Sequence, residues 1–204
     1  MREFPVLQTK RLVLRMFEPE DAPEVQRLAG AWEVARTMLS IPHPYEEGTA
    51  ERFIEDARRA LAAGERVNFA VVLREGRTLL GGVTLSINGQ DDNGKLGYWI
   101  GVPYWGQGYA TEAVREVVRY GFEELGLHHI HSDHFGSNPA SGRVLKKAGL
   151  SYEGIRPEHH KKWGNTRIWR SMAFSPATGA RPRRDSMRDS IPRLPRTRSL
   201  AEPR

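Results

Sequence analysis

A glycine-rich turn that leads directly into a helix carries the clearest chemical signal in this sequence. The tripeptide Gly106-Gln107-Gly108 follows an apolar run, 96–102, and a helical pattern begins near Ala110. Small residues let a ligand approach the backbone, and a helix N-terminus presents free N–H groups and the positive end of its dipole. The turn therefore predicts a phosphate-binding site.

A dinucleotide-binding fold is the alternative interpretation of the same turn. Its fingerprint requires a third Gly or Ala where this chain has Thr111, although Asp133 ends the next strand as a ribose-binding acid would. The preceding half of the chain contains helix–helix and hairpin units instead of a parallel βαβ start. These features favour a different phosphate-binding fold.

Further polar candidates lie near the strand predicted at 128–135. Asn138 and Pro139 suit the N-cap and first position of a short helix, which explains both residues without any chemistry. His129, His131 and Asp133 share one face of the strand at a ligand-like spacing. That face is expected to be packed, and no fourth ligand is evident, so no metal site is predicted.

The elements that must position these residues follow a mixed α/β pattern. Strands are predicted at 11–17, 68–73, 78–87, 96–102, 128–135, 151–163 and 166–174, and helices at 18–30, 49–63, 110–125 and 139–148. Residues 31–45 are predicted to be irregular, Gly81-Gly82 to form a bulge, and Gly164-Asn165 to form a hairpin turn. The pattern predicts a three-layer α-β-α domain around a mixed, mostly antiparallel central sheet.

Composition limits the classes of function. The 204 residues are 39% hydrophobic and 27% charged, which suits one domain with a core. No apolar run approaches the ~18 residues of a membrane span, and the N-terminus does not resemble a signal peptide, so a cytoplasmic location without membrane contact is expected. The absence of cysteine excludes disulfides, thiol catalysis and cysteine-bound zinc.

The formal charge of +6 belongs mostly to the C-terminal tail, where eight arginines stand against three acidic residues. The sequence from 176 onward is rich in Arg, Pro and Ser and lacks apolar clusters. We therefore predict a folded domain at 1–175 and a disordered basic tail at 176–204. Because the folded part is nearly neutral, no direct nucleic-acid binding is expected.

Residues 7–174 resemble the GCN5-related N-acetyltransferase (GNAT) family, and particularly its RimJ/RimL-like branch. The acetyl-CoA signature of that family aligns with 105–110, where Trp105 replaces the usual Gln or Arg. The run 108–113, Gly-Tyr-Ala-Thr-Glu-Ala, and the aromatic-Trp-Gly lead-in resemble the RimJ/RimL-like branch. The second anchor of the resemblance is the segment 138–150, which begins Asn-Pro-Ala-Ser.

The resemblance implies acetyl-CoA as a co-substrate and assigns residues to it. Backbone N–H groups of 106–111 would bind the pyrophosphate, and a strand that splays from its neighbour, here 97–102, would pair with the pantetheine arm. Arg143, Lys146 and Lys147 would meet the 3′-phosphate, although a solvated helix face explains them equally well. The expected cofactor-binding residues are Ile100, Gly101, Val102, Gly106, Gln107, Gly108, Tyr109, Ala110, Thr111, Asn138, Ser141 and Arg143.

The resemblance also implies direct attack of a neutral amine on the thioester, without a metal. This reaction needs an oxyanion donor, expected from a backbone N–H in 100–102, and a donor for the leaving thiolate. Many family members carry that donor as a Tyr seven residues after the Asn, where this chain has Leu145. Ser141 is the candidate instead. His134, or Glu158 or His159 in the last hairpin, is the candidate base acting through water.

The leading hypothesis is an acetyl-CoA-dependent N-acetyltransferase for a primary amine, with a protein N-terminal α-amino group, such as that of a ribosomal protein, as the acceptor. A polyamine, an amino acid or an aminoglycoside is the alternative acceptor. Leu145 also leaves open a non-catalytic module that binds acyl-CoA. Residues 31–45 and 151–166 are expected to form the walls of the acceptor site, and a homodimer is compatible with the sequence.

Overall fold

Eight strands, most of them rich in apolar residues, form a single sheet in the computed structural model, which describes residues 4–174. The strands are β1 Leu7–Gln8, β2 Leu12–Met16, β3 Arg66–Leu73, β4 Leu79–Asn88, β5 Asn93–Ile100, β6 His129–Phe135, β7 Ser151–Lys162 and β8 Asn165–Phe174. Their spatial order is β1-β2-β3-β4-β5-β6-β8-β7. Only β5 and β6 pair in parallel among the described strands, so the predicted mixed, mostly antiparallel sheet is confirmed.

Helices cover both faces of the sheet. They are α1 Ala22–Ala29, α2 Trp32–Ala35, α3 Thr49–Ala62, α4 Tyr109–Glu123 and α5 Pro139–Ala148, with 3₁₀ turns at Pro19–Asp21 and Val102–Tyr104. One apolar cluster includes Val117 of α4 and Leu145 of α5. The opposite cluster includes Val25 of α1 and Ile54 of α3. The predicted three-layer α-β-α architecture is therefore confirmed.

Local capping signals place α5 where the sequence predicts it. The Asn138 side chain accepts a hydrogen bond from the Ser141 N–H at 3.2 Å, and Pro139 occupies the first helical position. Gly149 ends the helix with a φ of 107°, a left-handed conformation that glycine adopts without strain. These contacts fix the start of α5 next to the end of β6.

The boundary between β5 and β6 opens into a gap. The two strands pair only from Asn93 opposite His129 to Leu96 opposite Ser132. Beyond that point β5 continues along β4 as far as Ile100, whereas β6 stays paired with β8. A wedge-shaped space therefore separates 97–100 from 133–135 in the middle of the sheet.

The last hairpin turns one residue earlier than predicted. Lys162 pairs with Asn165, so the turn residues are Trp163 and Gly164, and the predicted Gly164-Asn165 turn is wrong by one position. Both turn residues have positive φ, 50° and 77°. Two successive positive φ values are typical of the type I′ hairpin turn, whose twist matches that of the flanking strands.

Other differences from the predicted elements are small. Residues 31–45 include the short helix α2, which the sequence analysis treated as irregular. β5 begins at Asn93 and ends at Ile100, so the apolar run 96–102 extends past the strand into a 3₁₀ turn. Val71 pairs with Gly81 and Val72 with Leu79, so the extra residue of the bulge is Leu80, beside the predicted glycines.

Within residues 4–174, no helix combines the length and apolar character that crossing a membrane requires. The predicted disordered tail at 176–204 lies outside the described residues.

Candidate active site

A cavity of about 550 Å³ occupies the gap between β5 and β6. Residues 97–100 of β5 and 132–135 of β6 form its sides, and the glycine-rich turn and the start of α5 close one end. At the other end it is bounded by residues 37–40, on the opposite face of the sheet. The cavity therefore connects the face covered by α4 and α5 with the face covered by α1 and α3.

The predicted phosphate-binding turn lies at the first end of this cavity. Gly106 and Gly108 have φ values of 76° and 84°, which glycine adopts without the strain a side chain would add. The first main-chain bond of α4 runs from the Glu112 N–H to the Gly108 carbonyl at 3.1 Å. The N–H groups of residues 109–111 precede it and have no partner within the helix. These donors and the helix dipole suit an anionic ligand.

An ion pair from the N-terminal segment braces this turn, and the sequence analysis did not identify it. Glu112 accepts hydrogen bonds from Thr9 Oγ1 at 2.6 Å and from Arg11 Nε at 2.7 Å. Burial would raise the pKa of Glu112, but the bonds from Thr9 and Arg11 outweigh it and lower that pKa. Arg11 also donates to the Gln107 carbonyl at 3.0 Å and lies 4.4 Å from the Tyr109 ring centre.

The main chain of β5 supplies polar groups along the gap. The Gly101 N–H donates to the Leu80 carbonyl at 2.8 Å, on the β4 side. Because alternate residues of a strand direct their main-chain groups to opposite neighbours, Tyr98 and Ile100 direct theirs into the gap. The Ile100 carbonyl accepts a 2.6 Å bond from the Trp105 indole, which leaves the Ile100 N–H as the donor facing the cavity.

These contacts show which of residues 100–102 can present main-chain groups to the cavity. Ile100 lines the cavity, whereas Gly101 and Val102 do not. Gln107 also lies outside the lining and directs its side-chain amide to the Pro103 carbonyl at 3.1 Å. Of the candidate oxyanion donors, the Ile100 N–H therefore remains, because the Gly101 N–H already donates to β4.

Tyr98 and Ser141 meet inside the cavity. The Tyr98 hydroxyl lies 2.7 Å from Ser141 Oγ and 3.0 Å from the Ser141 carbonyl oxygen. Burial raises the pKa of Tyr98 to about 12, although the contact with Ser141 opposes this rise, so the phenol is protonated at neutral pH. Tyr98 was not among the residues predicted from the sequence; the signal that could have indicated it is the alternation of Tyr98 with Leu96 and Ile100 on one face of β5.

The candidate bases separate into two groups. His134 lines the cavity, and its Nδ1 donates to the Phe135 carbonyl at 2.9 Å, which leaves Nε2 as an acceptor. Its ring packs against Gly142, where an added Cβ would lie only 2.8 Å from Nε2. Glu158 and His159 are exposed on β7 and do not line the cavity. The structure therefore brings His134, but not the hairpin residues, to Ser141.

Basic side chains flank the start of α5. Asn138, Arg143 and Lys147 line the cavity, whereas Lys146 does not. Leu145, seven residues after Asn138, is fully buried in the apolar core. Its side chain therefore cannot reach the cavity.

The two predicted acceptor walls contact each other. Trp163 in the hairpin turn stacks on Trp32 with ring centres 4.8 Å apart. Lys162 Nζ donates to the Ile41 carbonyl at 2.6 Å and to the Leu39 carbonyl at 3.3 Å, and burial lowers the pKa of Lys162. Residues 37–40 line the cavity, so the hairpin braces this wall from outside.

The side chains on the histidine-rich face of β6 contact one another and a neighbouring lysine. His129 and His131 lie with ring centres 5.8 Å apart, and Asp133 lies 3.3 Å from the ammonium of Lys95. Across the part of the chain that the structure describes, no group of three His, Cys, Asp or Glu residues could hold a metal ion.

A match to a known family identifies the class of enzyme. A family model described as an acetyltransferase (GNAT) domain matches residues 11–151. The chain belongs to the GNAT acetyltransferase family. It is an acetyl-CoA-dependent N-acetyltransferase, as the glycine-rich turn and the Asn138 segment predicted.

Relatives of this acetyltransferase cover most of its domain. Probable N-acetyltransferase YjcK of Bacillus subtilis is 38% identical over 162 residues, which are 76% of this chain and 89% of the relative. FsC-acetyl coenzyme A-N(2)-transacetylase of Aspergillus fumigatus is 32% identical over 155 residues, 72% of this chain and 66% of the relative. The structure of RimL, a ribosomal L7/L12 alpha-N-protein acetyltransferase in complex with coenzyme A, matches with a TM-score of 0.74 over 83% of this chain and 97% of RimL. At 14% identity this likeness is one of fold.

Proposed function

We propose that this acetyltransferase acetylates the α-amino group of a protein N-terminus, in the manner of the RimJ/RimL-like branch. The observation that carries the proposal is the single cavity that joins the phosphate-binding turn to the opposite face of the sheet. Acetyl-CoA would enter from one face and place its thioester in the gap. An amine would reach the thioester from the other face. This separation lets two substrates bind together and orients them for reaction.

The cofactor side follows from the donors around the turn. N–H groups of residues 106–111 bind the pyrophosphate, and Arg143 and Lys147 lie near the 3′-phosphate. The main-chain groups of Tyr98 pair with the pantetheine amides, together with Asn138, and the Ile100 N–H is left for the thioester because the Ile100 carbonyl is bonded to Trp105. Glu112 and Arg11 hold the turn in the shape that this binding needs.

The chemistry is a direct transfer. The neutral amine nitrogen forms a bond to the thioester carbonyl carbon, and the Ile100 N–H stabilises the oxyanion. The bond from carbon to sulfur then breaks, and the thiolate is met by the Ser141 hydroxyl. When the Tyr98 phenol donates to Ser141 Oγ, the Ser141 hydroxyl hydrogen is left to donate a hydrogen bond to the sulfur. The amine proton leaves through water to His134 Nε2.

The protein N-terminus is supported as the acceptor by features of the second face. Trp32 and Trp163 are 49% and 40% exposed beside the segment 37–40 that lines the cavity. Exposed aromatic side chains suit contacts with the residues that follow the amine in a peptide. RimL, which shares the fold, is described as an acetyltransferase of a protein α-amino group.

A small-molecule amine is the second candidate acceptor. The relative from Aspergillus fumigatus, at 32% identity, is named FsC-acetyl coenzyme A-N(2)-transacetylase, and this name does not mention a protein N-terminus. The cavity itself does not require a peptide, because its volume of about 550 Å³ holds a small ligand.

The test is thiol release from acetyl-CoA, followed with DTNB, over a panel of peptides with free N-termini, spermidine, amino acids and an aminoglycoside. We expect a higher kcat/KM for peptides than for the small amines. A preference for a small amine would favour the second candidate. Tight coenzyme A binding by calorimetry without turnover above buffer would contradict the catalytic proposal itself.

A further inference from the structure

A carboxylate buried on β6 has a half-exposed lysine as its ion-pair partner. The Asp133 side chain is 2% exposed and its Oδ2 lies 3.3 Å from Lys95 Nζ, but neither oxygen accepts a hydrogen bond of regular geometry from residues 4–174. A buried polar group without a hydrogen bond destabilises the fold, and a charged one does so more strongly. Such a group indicates a function that compensates for its cost.

The carboxylate is nevertheless ionised. Burial would raise the pKa of Asp133, but the Trp169 indole, the Ser171 hydroxyl and the Lys95 ammonium together lower it. Trp169 and Ser171 stabilise the charge by their proximity, although neither has the geometry of a hydrogen bond to it. Burial also lowers the pKa of His131, the neighbouring histidine on the same face, so that ring is neutral at neutral pH. Asp133 therefore keeps its negative charge inside the protein.

Asp133 also lies on the correct face for an acceptor. His134, Ser141 and Tyr98 belong to the coenzyme side, and side chains alternate along a strand. Asp133 consequently points to the opposite face, where Lys95 and Trp169 also line the cavity. This is the face to which residues 37–40 contribute.

Lys95 shows that an ammonium group fits at this carboxylate. Its Nζ lies 3.3 Å from Asp133 Oδ2 and 6.0 Å from the centre of the Trp169 ring. The Lys95 side chain is 49% exposed, so it can rotate away from Asp133 into solvent. A primary ammonium from an acceptor could then take its place and also reach the second oxygen, Oδ1.

We propose that Asp133, with Trp169 beside it, is the binding site for the ammonium group of the acceptor, and that Lys95 occupies this site when no acceptor is bound. The inference rests on the proposed function and specifies it: the acceptor arrives as a cation, displaces Lys95, and loses its proton inside the cavity. An acceptor without a positive charge gains nothing at this site. Asp133 is a binding group here: one nitrogen proton passes through water to His134 Nε2, and the second is taken up by the leaving thiolate.

Two substitutions should act in opposite directions. Asp133→Asn removes the charge at nearly constant volume, so it should weaken binding of a cationic acceptor by about tenfold or more. Lys95→Met removes the competing ammonium but keeps an apolar stem, so it should strengthen binding by about threefold. Asp56→Asn, on the exposed surface of α3, is the matched control and should change nothing.

Calorimetry in the presence of coenzyme A measures this binding without any turnover. The probes are a tetrapeptide amide with a free α-amino group, the same peptide after N-acetylation, and spermidine. We expect the free peptide to bind, the acetylated peptide to bind much more weakly, and the two variants to show the opposite changes. Coenzyme A affinity should stay within about twofold in all variants, which a misfolded cavity would not allow.

Equal affinity of the wild-type protein for free and acetylated peptide would overturn the inference, as would an unchanged affinity in Asp133→Asn. Failure of both the peptide and spermidine to bind would also overturn it. A different result would contradict the proposed function, namely the absence of coenzyme A binding or of thiol release with every amine tested. The two failures are therefore distinguishable.

Discussion

Replacing Tyr98 by Phe tests how the leaving thiolate is stabilised. The substitution keeps the ring on β5 and removes only the hydroxyl that lies 2.7 Å from Ser141 Oγ. Without it, the Ser141 hydroxyl loses its fixed orientation and can rotate away from the sulfur. We therefore expect a loss in kcat with little change in the binding of acetyl-CoA.

The size of the effect follows from one lost hydrogen bond. The phenol carries a single hydrogen, so it can donate to Oγ or to the carbonyl of Ser141 at any moment, but not to both. Its removal should lower the free energy of unfolding by about 0.5–1.5 kcal/mol, and the melting temperature by roughly 2–4 °C per kcal/mol. If the same energy is expressed at the transition state, kcat falls by about two- to tenfold, since tenfold corresponds to about 1.4 kcal/mol.

The assay is steady-state thiol release with saturating amine, carried out on Tyr98→Phe, Ser141→Ala and the double variant. Because Tyr98 acts through Ser141, the double variant should be no slower than Ser141→Ala alone. Tyr45→Phe is the matched control: its phenol also has a pKa raised to about 12 by burial, and Tyr45 does not line the cavity.

Two results would refute this reasoning. Additive losses in the double variant would mean that Tyr98 acts independently of Ser141. An unchanged kcat in both Tyr98→Phe and Ser141→Ala would mean that the thiolate leaves without help from either hydroxyl.

Four further predictions concern stability, the cofactor and the acceptor wall. Because the Tyr98 pKa is raised to about 12, the free energy of unfolding should fall above about pH 10, where only the unfolded phenol ionises. In alkaline denaturation, the free energy of unfolding of Tyr98→Phe should fall less steeply with pH than that of the wild-type protein. Gly108→Glu should abolish coenzyme A binding in calorimetry by placing a carboxylate at the phosphate site, whereas Gly108→Ala should cost only about 1–2 kcal/mol of stability because φ is 84°. Lys162→Met should lower the unfolding free energy by about 1–3 kcal/mol and raise the acceptor KM, since it releases the wall at 37–40; an unchanged KM would contradict this role. Deleting 176–204 should leave melting temperature and turnover intact, and a large loss of either would show that the tail belongs to the domain.

Elements with strong local signals were predicted well from the sequence. The bounds of α5 followed from an N-cap, a proline at the first position and a glycine stop, all of which act within a few residues of the helix ends. The glycine-rich turn and the start of α4 followed for the same reason, because the glycines and the helix that starts at Tyr109 are adjacent in the chain.

Residues whose roles depend on distant partners were not predicted in this way. Tyr98 gains its role from Ser141, 43 positions away, and Arg11 from Glu112, 101 positions away. Glu158 was a candidate base because it lies in the last hairpin, yet the path of that hairpin leaves it exposed outside the cavity. Periodicity shows which side of a strand a residue occupies, but not what faces it.

The sequence by itself determined the family, the order of elements, the glycine-rich turn before α4 and the capped start of α5. Only the tertiary structure decided where the cavity lies, since β6 leaves β5 after Ser132 and continues along β8. That departure leaves β5 residues 97–100 and Asp133 lining one cavity. The physical reason is that turns and caps are set by bonds between neighbours in the chain, whereas a gap in a sheet is set by which distant strands pair and where their pairing stops.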